Sequence, residues 1–328
     1  MSVAAASAAA WLLDPAAAWL LDPAYPTVRR LARSRLGLVD DGPAAPSIAD
    51  EPWVSALITA PRAPLHPYAK WAGVHWRLGS LAELDADPRD PSVAAVVEPF
   101  FDQVLGWLEA PGRLERASKK VHGRSRICGS QEGLATWAAM RLGLADHPGV
   151  AAGIERLLGW QWPDGGWNCD KRPEASHSSF NESWGAMRGL AVFADLHAGS
   201  ELGREARRGA DRAAAFFLAH HVVQSHTTGQ LAHPNVDGLR WPPYWHYDRL
   251  VGLRMLLAAG HLADPRTSEA LSELRSAQQP DGMWRPDRRY WKSPGSRSPT
   301  SVEAVDWSAE GERRMLTLQA LEVLVAVG

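Results

Sequence analysis

Apolar residues recur at three- and four-residue steps along most of the chain, the period of helices with one buried face, and the two-residue alternation of a half-buried strand is nowhere sustained. The periodic segments come in pairs. Residues 75–108, 132–160 and 248–277 each read as a helix ending near Gly or Asp, a short turn, and a second helix introduced by Pro88, Pro148 or Pro265. Proline suits a first helical turn because the N–H it lacks would find no partner there. Residues 180–222 form a fourth pair without the proline, broken at residues 197–200, and residues 25–57 and 315–327 supply the remaining helices. The pattern predicts an all-α fold of about a dozen helices in antiparallel pairs.

Two of the helix ends repeat each other. LLGWQWPDGGW begins at Leu157 and LRSAQQPDGMW at Leu274, each with a Gln closing a helix, a Pro-Asp-Gly turn, and a Trp that can fold back onto the helix just left. Repeats of this kind bury their apolar faces only by stacking on neighbours. With Gln161, Asp164, Gly165 and Trp167 in one copy and Gln278, Asp281, Gly282 and Trp284 in the other, the chain resembles the terpene cyclase and protein prenyltransferase superfamily, whose repeats follow Q-x-x-D-G-x-W. That resemblance implies an (α/α) toroid of about six helical hairpins, forming one domain over residues 25–328 after an Ala-rich extension at residues 1–24. Further strings are similar to those of bacterial squalene cyclase-like proteins with prenyltransferase and squalene-oxidase repeats: Trp19-Leu20-Leu21, Pro67-Tyr68-Ala69-Lys70-Trp71, Cys128-Gly129-Ser130, DGGWNC at residues 164–169, and Trp245-His246-Tyr247-Asp248. That group carries no agreed activity.

Composition adds the setting. Hydrophobic residues at 45% and charged ones at 22% are ordinary for a globular chain, whereas sixteen Trp exceed what the repeats need as anchors. A net charge of −2, with Lys and Arg dispersed, leaves no footprint for nucleic acid. Two cysteines make no disulfide framework, so a reducing cytoplasm is expected. The opening segment carries AWLLDPA twice, at residues 10–16 and 18–24. It lacks the basic residues of a secretory signal, and Asp14, Pro15, Asp22 and Pro23 interrupt it too soon for a membrane span.

In a ring of hairpins alternate helices form the inner wall, and these are predicted to begin near Lys70, Ser130, Ser179, Trp245 and Arg313. Their first turns are polar and should converge on one central cavity, at the end where exposed amides and helix dipoles favour an anionic group. Within an enzyme reading, Asp248 or Glu182 is the acid and His246 its partner. Tyr247, Trp71, Trp76, Trp184 and Trp245 shield a cationic carbon, Lys70 and Arg249 hold an anionic head, and His75 and Glu132 complete the lining. Helix capping accounts for some of these Ser, Asn, Asp and Glu residues. The substrate this implies is a small isoprenoid or other amphipathic molecule with an oxygenated or anionic head.

The resemblance fails at two catalytic signatures. Class II terpene cyclases protonate their substrate with D-x-D-D, which is absent, the nearest strings being Asp85-Ala86-Asp87 and Asp40-Asp41. Prenyltransferase zinc is held by Asp-x-Cys and a later His, and the corresponding His177-Ser178-Ser179 lacks the thiol. No cofactor is expected, with zinc or magnesium kept as the alternative. The one tetrahedral zinc set the nearby residue types allow is Cys169, Asp170, His177 and His246. Two other readings share the fold: a toroid that hydrolyses or eliminates on a sugar with paired carboxylates or a His-Tyr pair, and a toroid that only binds a ligand.

Overall fold

The computed structural model describes residues 16–43, 46–61, 64–298 and 300–328. Helix accounts for 55% of it and strand for 3%, which makes the fold all-α. In chain order the α-helices are α1 (Pro26–Leu36), α2 (Pro52–Ile58), α3 (Val74–Glu83), α4 (Pro91–Leu108), α5 (Pro111–Ser118), α6 (Gly129–Arg141), α7 (Pro148–Trp160), α8 (Phe180–Leu196), α9 (Glu201–Ala219), α10 (Arg249–Ala258), α11 (Ser268–Ser276) and α12 (Ala309–Val327). A hairpin of β1 (Lys120–Val121) and β2 (Arg124–Ser125) precedes α6. The chain divides into two compact units where the sequence suggests one domain: the first comprises Met1–Ala56, His220–Pro243 and Asp248–Gly328, the second Leu57–Ala219 and Tyr244–Tyr247.

In the second unit α3, α6 and α8 pack side by side, and each is paired with the helix that follows it in a hairpin, α4, α7 and α9 respectively. Helices α6 and α8 are buried on nearly every face, as befits a middle layer. Helix α4 buries a single stripe of Val93, Val97, Phe100, Phe101, Val104, Leu105 and Leu108. The helix starts show why sequence boundaries slip. Pro88 lies in a turn, because the Asp90 carboxylate accepts the Ser92 N–H at 2.8 Å and so fixes the first turn at Pro91. Pro148 does open α7, with the His147 ring accepting the Gly149 N–H at 3.1 Å. Pro265 opens a 3-10 turn that leads into α11 in the first unit. The break foreseen at residues 197–200 separates α8 from α9.

Helices α6 and α8 approach with almost nothing between them. A methyl group on Gly133 would fall on the backbone of Gly185 and Ala186. One on Gly189 would lie 2.9 Å from the Gly133 carbonyl oxygen. Glycine is needed here for contact between backbones.

In the first unit α12 packs on α1, α10 and α11. The second AWLLDPA copy joins this unit through the Trp19 indole, which donates to the Glu310 carboxylate at 2.8 Å. The first copy, except Ala16, lies outside the described residues. Among the described residues no helix is long and apolar enough to cross a membrane.

Each repeat closes its helix in the same way. The Trp167 Nε1–H donates to the Leu157 carbonyl at 2.9 Å, and the Gln161 amide to the Gly165 carbonyl at 2.7 Å. The Trp284 Nε1–H donates to the Leu274 carbonyl at 2.8 Å, and the Gln278 amide to the Gly282 carbonyl at 2.9 Å. Both indoles are fully buried. The backbone N–H of each Trp in turn donates to a hydroxyl on the next helix, Ser183 Oγ at 3.0 Å and Thr317 Oγ1 at 3.1 Å. The repeated letters thus encode one device: a helix C-terminus with an orphan carbonyl capped by the Trp that follows it, and a turn closed by the Gln.

Candidate active site

The chemistry-bearing residues that the fold brings together lie in the second unit, around the starts of α3, α6 and α8. Aromatic and imidazole rings form a continuous cluster. Trp71 stacks on Tyr244 with centroids 3.9 Å apart and planes within 3°, and meets Trp76 edge-on at 4.7 Å. Tyr68 lies 4.7 Å from Trp76, 4.9 Å from Trp107 and 5.1 Å from His75. His246 stacks on Trp245 at 4.5 Å and reaches Trp71 at 5.9 Å. Trp71, Trp76 and Tyr244 are buried, whereas Tyr68, Trp107, Trp245 and His246 are only half-buried, so the cluster opens to solvent along one edge. At that edge the Lys70 ammonium sits over the faces of Trp71 and Trp245, at 5.2 and 5.0 Å. Sequence spacing expects α3 to begin near Lys70. It begins at Val74, and Lys70 belongs to the loop before it.

Beside this wall stands an acid cluster. The buried Glu182 carboxylate, in the first turn of α8, accepts the Ser130 N–H at 3.2 Å and the Ser130 hydroxyl at 2.7 Å through Oε2, and the Cys169 thiol at 3.3 Å through Oε1. Cys128 at the N-cap of α6 completes the group, and one ligand atom from each of Cys128, Cys169 and Glu182 lies within 4.8 Å of the others. Burial raises the Glu182 pKa against the opposing pull of Ser130. The Cys128 thiol is raised by its hydrogen bond with Cys169, by burial and by Glu182. Tyr68 connects wall and cluster: its phenol pairs with Gln131 and is pushed up by burial and then by the negative potential of Glu182, Cys128 and Cys169.

His75 is a deeply buried ring in the wall. It is 3% exposed, and neither ring nitrogen has a hydrogen-bond partner. Burial, followed by the charge of Arg113, holds its pKa down to about 3. The imidazole is thus neutral in the folded state, whereas in the unfolded chain it gains a proton below about 6.5. Its contribution to stability is complete above that value and drains away as pH falls towards 3. By pH 4 the loss should reach about 3 kcal/mol. The difference in unfolding free energy between wild type and His75→Phe, followed by urea titration from pH 7 to pH 4, should grow by that amount in favour of the variant. A constant difference would place a hydrogen-bond acceptor beside the ring, holding the imidazolium in the folded state.

Other residues expected at the site have their side chains engaged elsewhere. Glu132 is fully buried between Arg113 at 3.0 Å and Arg156 at 2.6 Å, so it binds cations of its own protein. Tyr247 stacks on Phe180 at 5.0 Å and Phe217 at 5.2 Å, a core position, and its N–H donates to Asn181. Trp184 is buried and donates to the Trp245 carbonyl at 3.1 Å. Asp248 and Arg249 belong to the first unit. The Asp248 carboxylate caps α10 by accepting the Val251 N–H at 2.9 Å, with Arg240 at 3.9 Å, and burial pushes its pKa up to about 6. Arg249 is held by Asp237 at 2.5 Å and Glu273 at 2.6 Å. The zinc set Cys169, Asp170, His177 and His246 is not assembled. Asp170 turns outward to Arg172 at 2.6 Å, His177 is exposed, and the Cys169 thiol faces Glu182.

The sequence assigns no site role to Tyr68, Trp107, Cys128 or Tyr244, and reads Ser130 only as the start of an inner helix. Three of them sit in the quoted strings Pro67-Tyr68-Ala69-Lys70-Trp71 and Cys128-Gly129-Ser130, which gave the signal without the role. No family model, curated protein or solved structure matches this chain.

Proposed function

We propose that the chain is an enzyme of terpene cyclase or prenyltransferase type, an (α/α) ring of hairpins whose second unit acts on an isoprenoid or similar amphipathic substrate. The observation that carries the reading is a buried carboxyl of raised pKa, Glu182, set against a wall of aromatic rings that opens beside a lysine. Each part has a use in one reaction. A carboxyl whose pKa burial raises can donate its proton to an epoxide or allylic oxygen, and the C–O bond that breaks leaves an electron-poor carbon. The faces of Trp71, Trp76 and Tyr244 attract that carbon, in water-poor surroundings where such contacts reach about 2 kcal/mol. The Glu182 carboxylate then recovers a proton from the neighbouring carbon as an alkene forms, which restores the acid. Lys70, exposed at the mouth, suits the oxygenated or anionic head.

A sugar-cleaving site would need a second free carboxylate opposite Glu182. Glu132 cannot serve, with Arg113 and Arg156 paired to it. The test is incubation with a panel of allylic diphosphates, prenyl alcohols and terpene epoxides, with products read by mass spectrometry. One class should be consumed, and Glu182→Gln, which keeps the shape but is not an acid, should slow turnover by about a hundredfold or more. No consumption of any member, or equal turnover by a folded Glu182→Gln protein, would refute the assignment.

A further inference from the structure

The acid cluster has a geometry that proton transfer alone does not call for. Its three members come from separate places in the chain: Cys128 at the N-cap of α6, Cys169 in the loop after the first repeat tryptophan, and Glu182 in the first turn of α8. Folding gathers two thiols and a carboxylate so that their ligand atoms lie within 4.8 Å of one another. A tetrahedral zinc ion with Zn–S near 2.3 Å and Zn–O near 2.0 Å requires edges of about 3.5–3.8 Å, and the Cys169 Sγ to Glu182 Oε1 edge is 3.3 Å. The local sequence agrees. Ser, Thr, Asp or Asn is the usual residue where Cys128 stands, and its thiol makes no capping bond.

Charge supplies the second argument. All three groups become anions when they lose a proton, and among the described residues no Lys or Arg forms an ion pair with Glu182, although it is 7% exposed. A buried carboxylate needs a compensating charge, and a divalent cation compensates all three groups at once. The carboxylate is also oriented for the task, since Ser130 holds Oε2 with two hydrogen bonds and leaves Oε1 towards Cys169. Outer partners of this kind hold metal ligands in place.

We propose that Cys128, Cys169 and Glu182 bind one zinc ion, with Ser130 as the group that orients the carboxylate and the fourth position open to a water or substrate oxygen. Two thiolates select zinc over magnesium or calcium. Three protein ligands and one open position are the arrangement of catalytic rather than structural zinc. Binding releases the two thiol protons to solvent, together with the carboxyl proton wherever Glu182 still carries one. With the ion in place the acid beside the aromatic wall is zinc-bound water, so Glu182 acts as ligand and the proton source shifts by one atom layer. The ligand set differs from the Asp-x-Cys and His pattern that the sequence lacks.

The experiment is titration of the full chain, reduced and stripped by a chelator, with Co2+ and then Zn2+. One equivalent of cobalt should produce the near-ultraviolet thiolate band and the visible bands of a tetrahedral ion, and zinc should abolish both. Cys128→Ser and Cys169→Ser should each weaken cobalt binding by more than about a hundredfold, and Ser130→Ala by about 10–100-fold, with circular dichroism confirming that each variant is folded. Absence of a thiolate band in the reduced protein would overturn the site, as would a band unchanged in both cysteine variants. Rapid closure of a Cys128–Cys169 disulfide with no metal affinity before it would make the pair a redox couple instead. No organic substrate takes part, so the metal site and the isoprenoid reading can each fail separately.

Discussion

Glu132→Gln should lower the unfolding free energy by about 3–5 kcal/mol, the cost of leaving the buried Arg113 without its anion, whereas Arg156 keeps Glu109 at 3.0 Å. Arg113 and Arg156 each place a nitrogen within 3.0 Å of the Glu132 carboxylate. Arg113 is itself 5% exposed and can find no water to replace the lost charge. Glutamine has the same shape, so the effect isolates charge from volume. It is checked by the urea midpoint at unchanged slope. Removing charge on both sides, as Glu132→Met with Arg113→Met, should recover much of the loss, because well-packed apolar groups often match a buried ion pair. A single-variant cost under 1 kcal/mol would mean that the triad is solvated.

Trp167→Ala and Trp284→Ala should each cost about 3–5 kcal/mol, the range for emptying a large aromatic site in a packed interior. Both indoles are fully buried and both cap a carbonyl at the end of the preceding helix. Phenylalanine should cost less, because it keeps most of the apolar contact and forfeits chiefly one hydrogen bond of about 1 kcal/mol. The order Ala, then Phe, then wild type at both positions is the signature of an anchor that works by volume and by bond. Equal losses for Ala and Phe would leave the hydrogen bond as the whole effect.

These two expectations differ in how far the sequence announces them. The tryptophan device is local. Gln, the turn and Trp all sit within one short string, and repetition of the string reveals it. The same locality made helix pairs and the break at residues 197–200 readable. Glu132 is the opposite case, since its role depends on Arg113 and Arg156, which reach it from α5 and α7. Partner choice is settled by packing and leaves no spacing to read. For that reason the sequence places Glu132, Tyr247, Asp248 and Arg249 at the site beside Glu182, whereas the fold ties the first to arginines, the second to phenylalanines, the third to a helix start and the fourth to two acids. The cysteine pairing was hidden for the same reason, although both cysteines stood in the strings that drew notice.

The bare crossing of α6 and α8 bears on how this protein could be redesigned. Cys128 and Ser130 lie at the start of one helix and Glu182 at the start of the other, only a turn from where Gly133 meets Gly185 and Ala186. Direct contact between backbones sets the gauge between these groups, independently of any side chain an engineer would exchange. A combinatorial library that spares Gly133, Gly185 and Gly189 can therefore diversify Tyr68, Trp71, Trp107, Tyr244 and Trp245 together, reshaping the aromatic wall while the Cys128, Ser130 and Glu182 end keeps its dimensions.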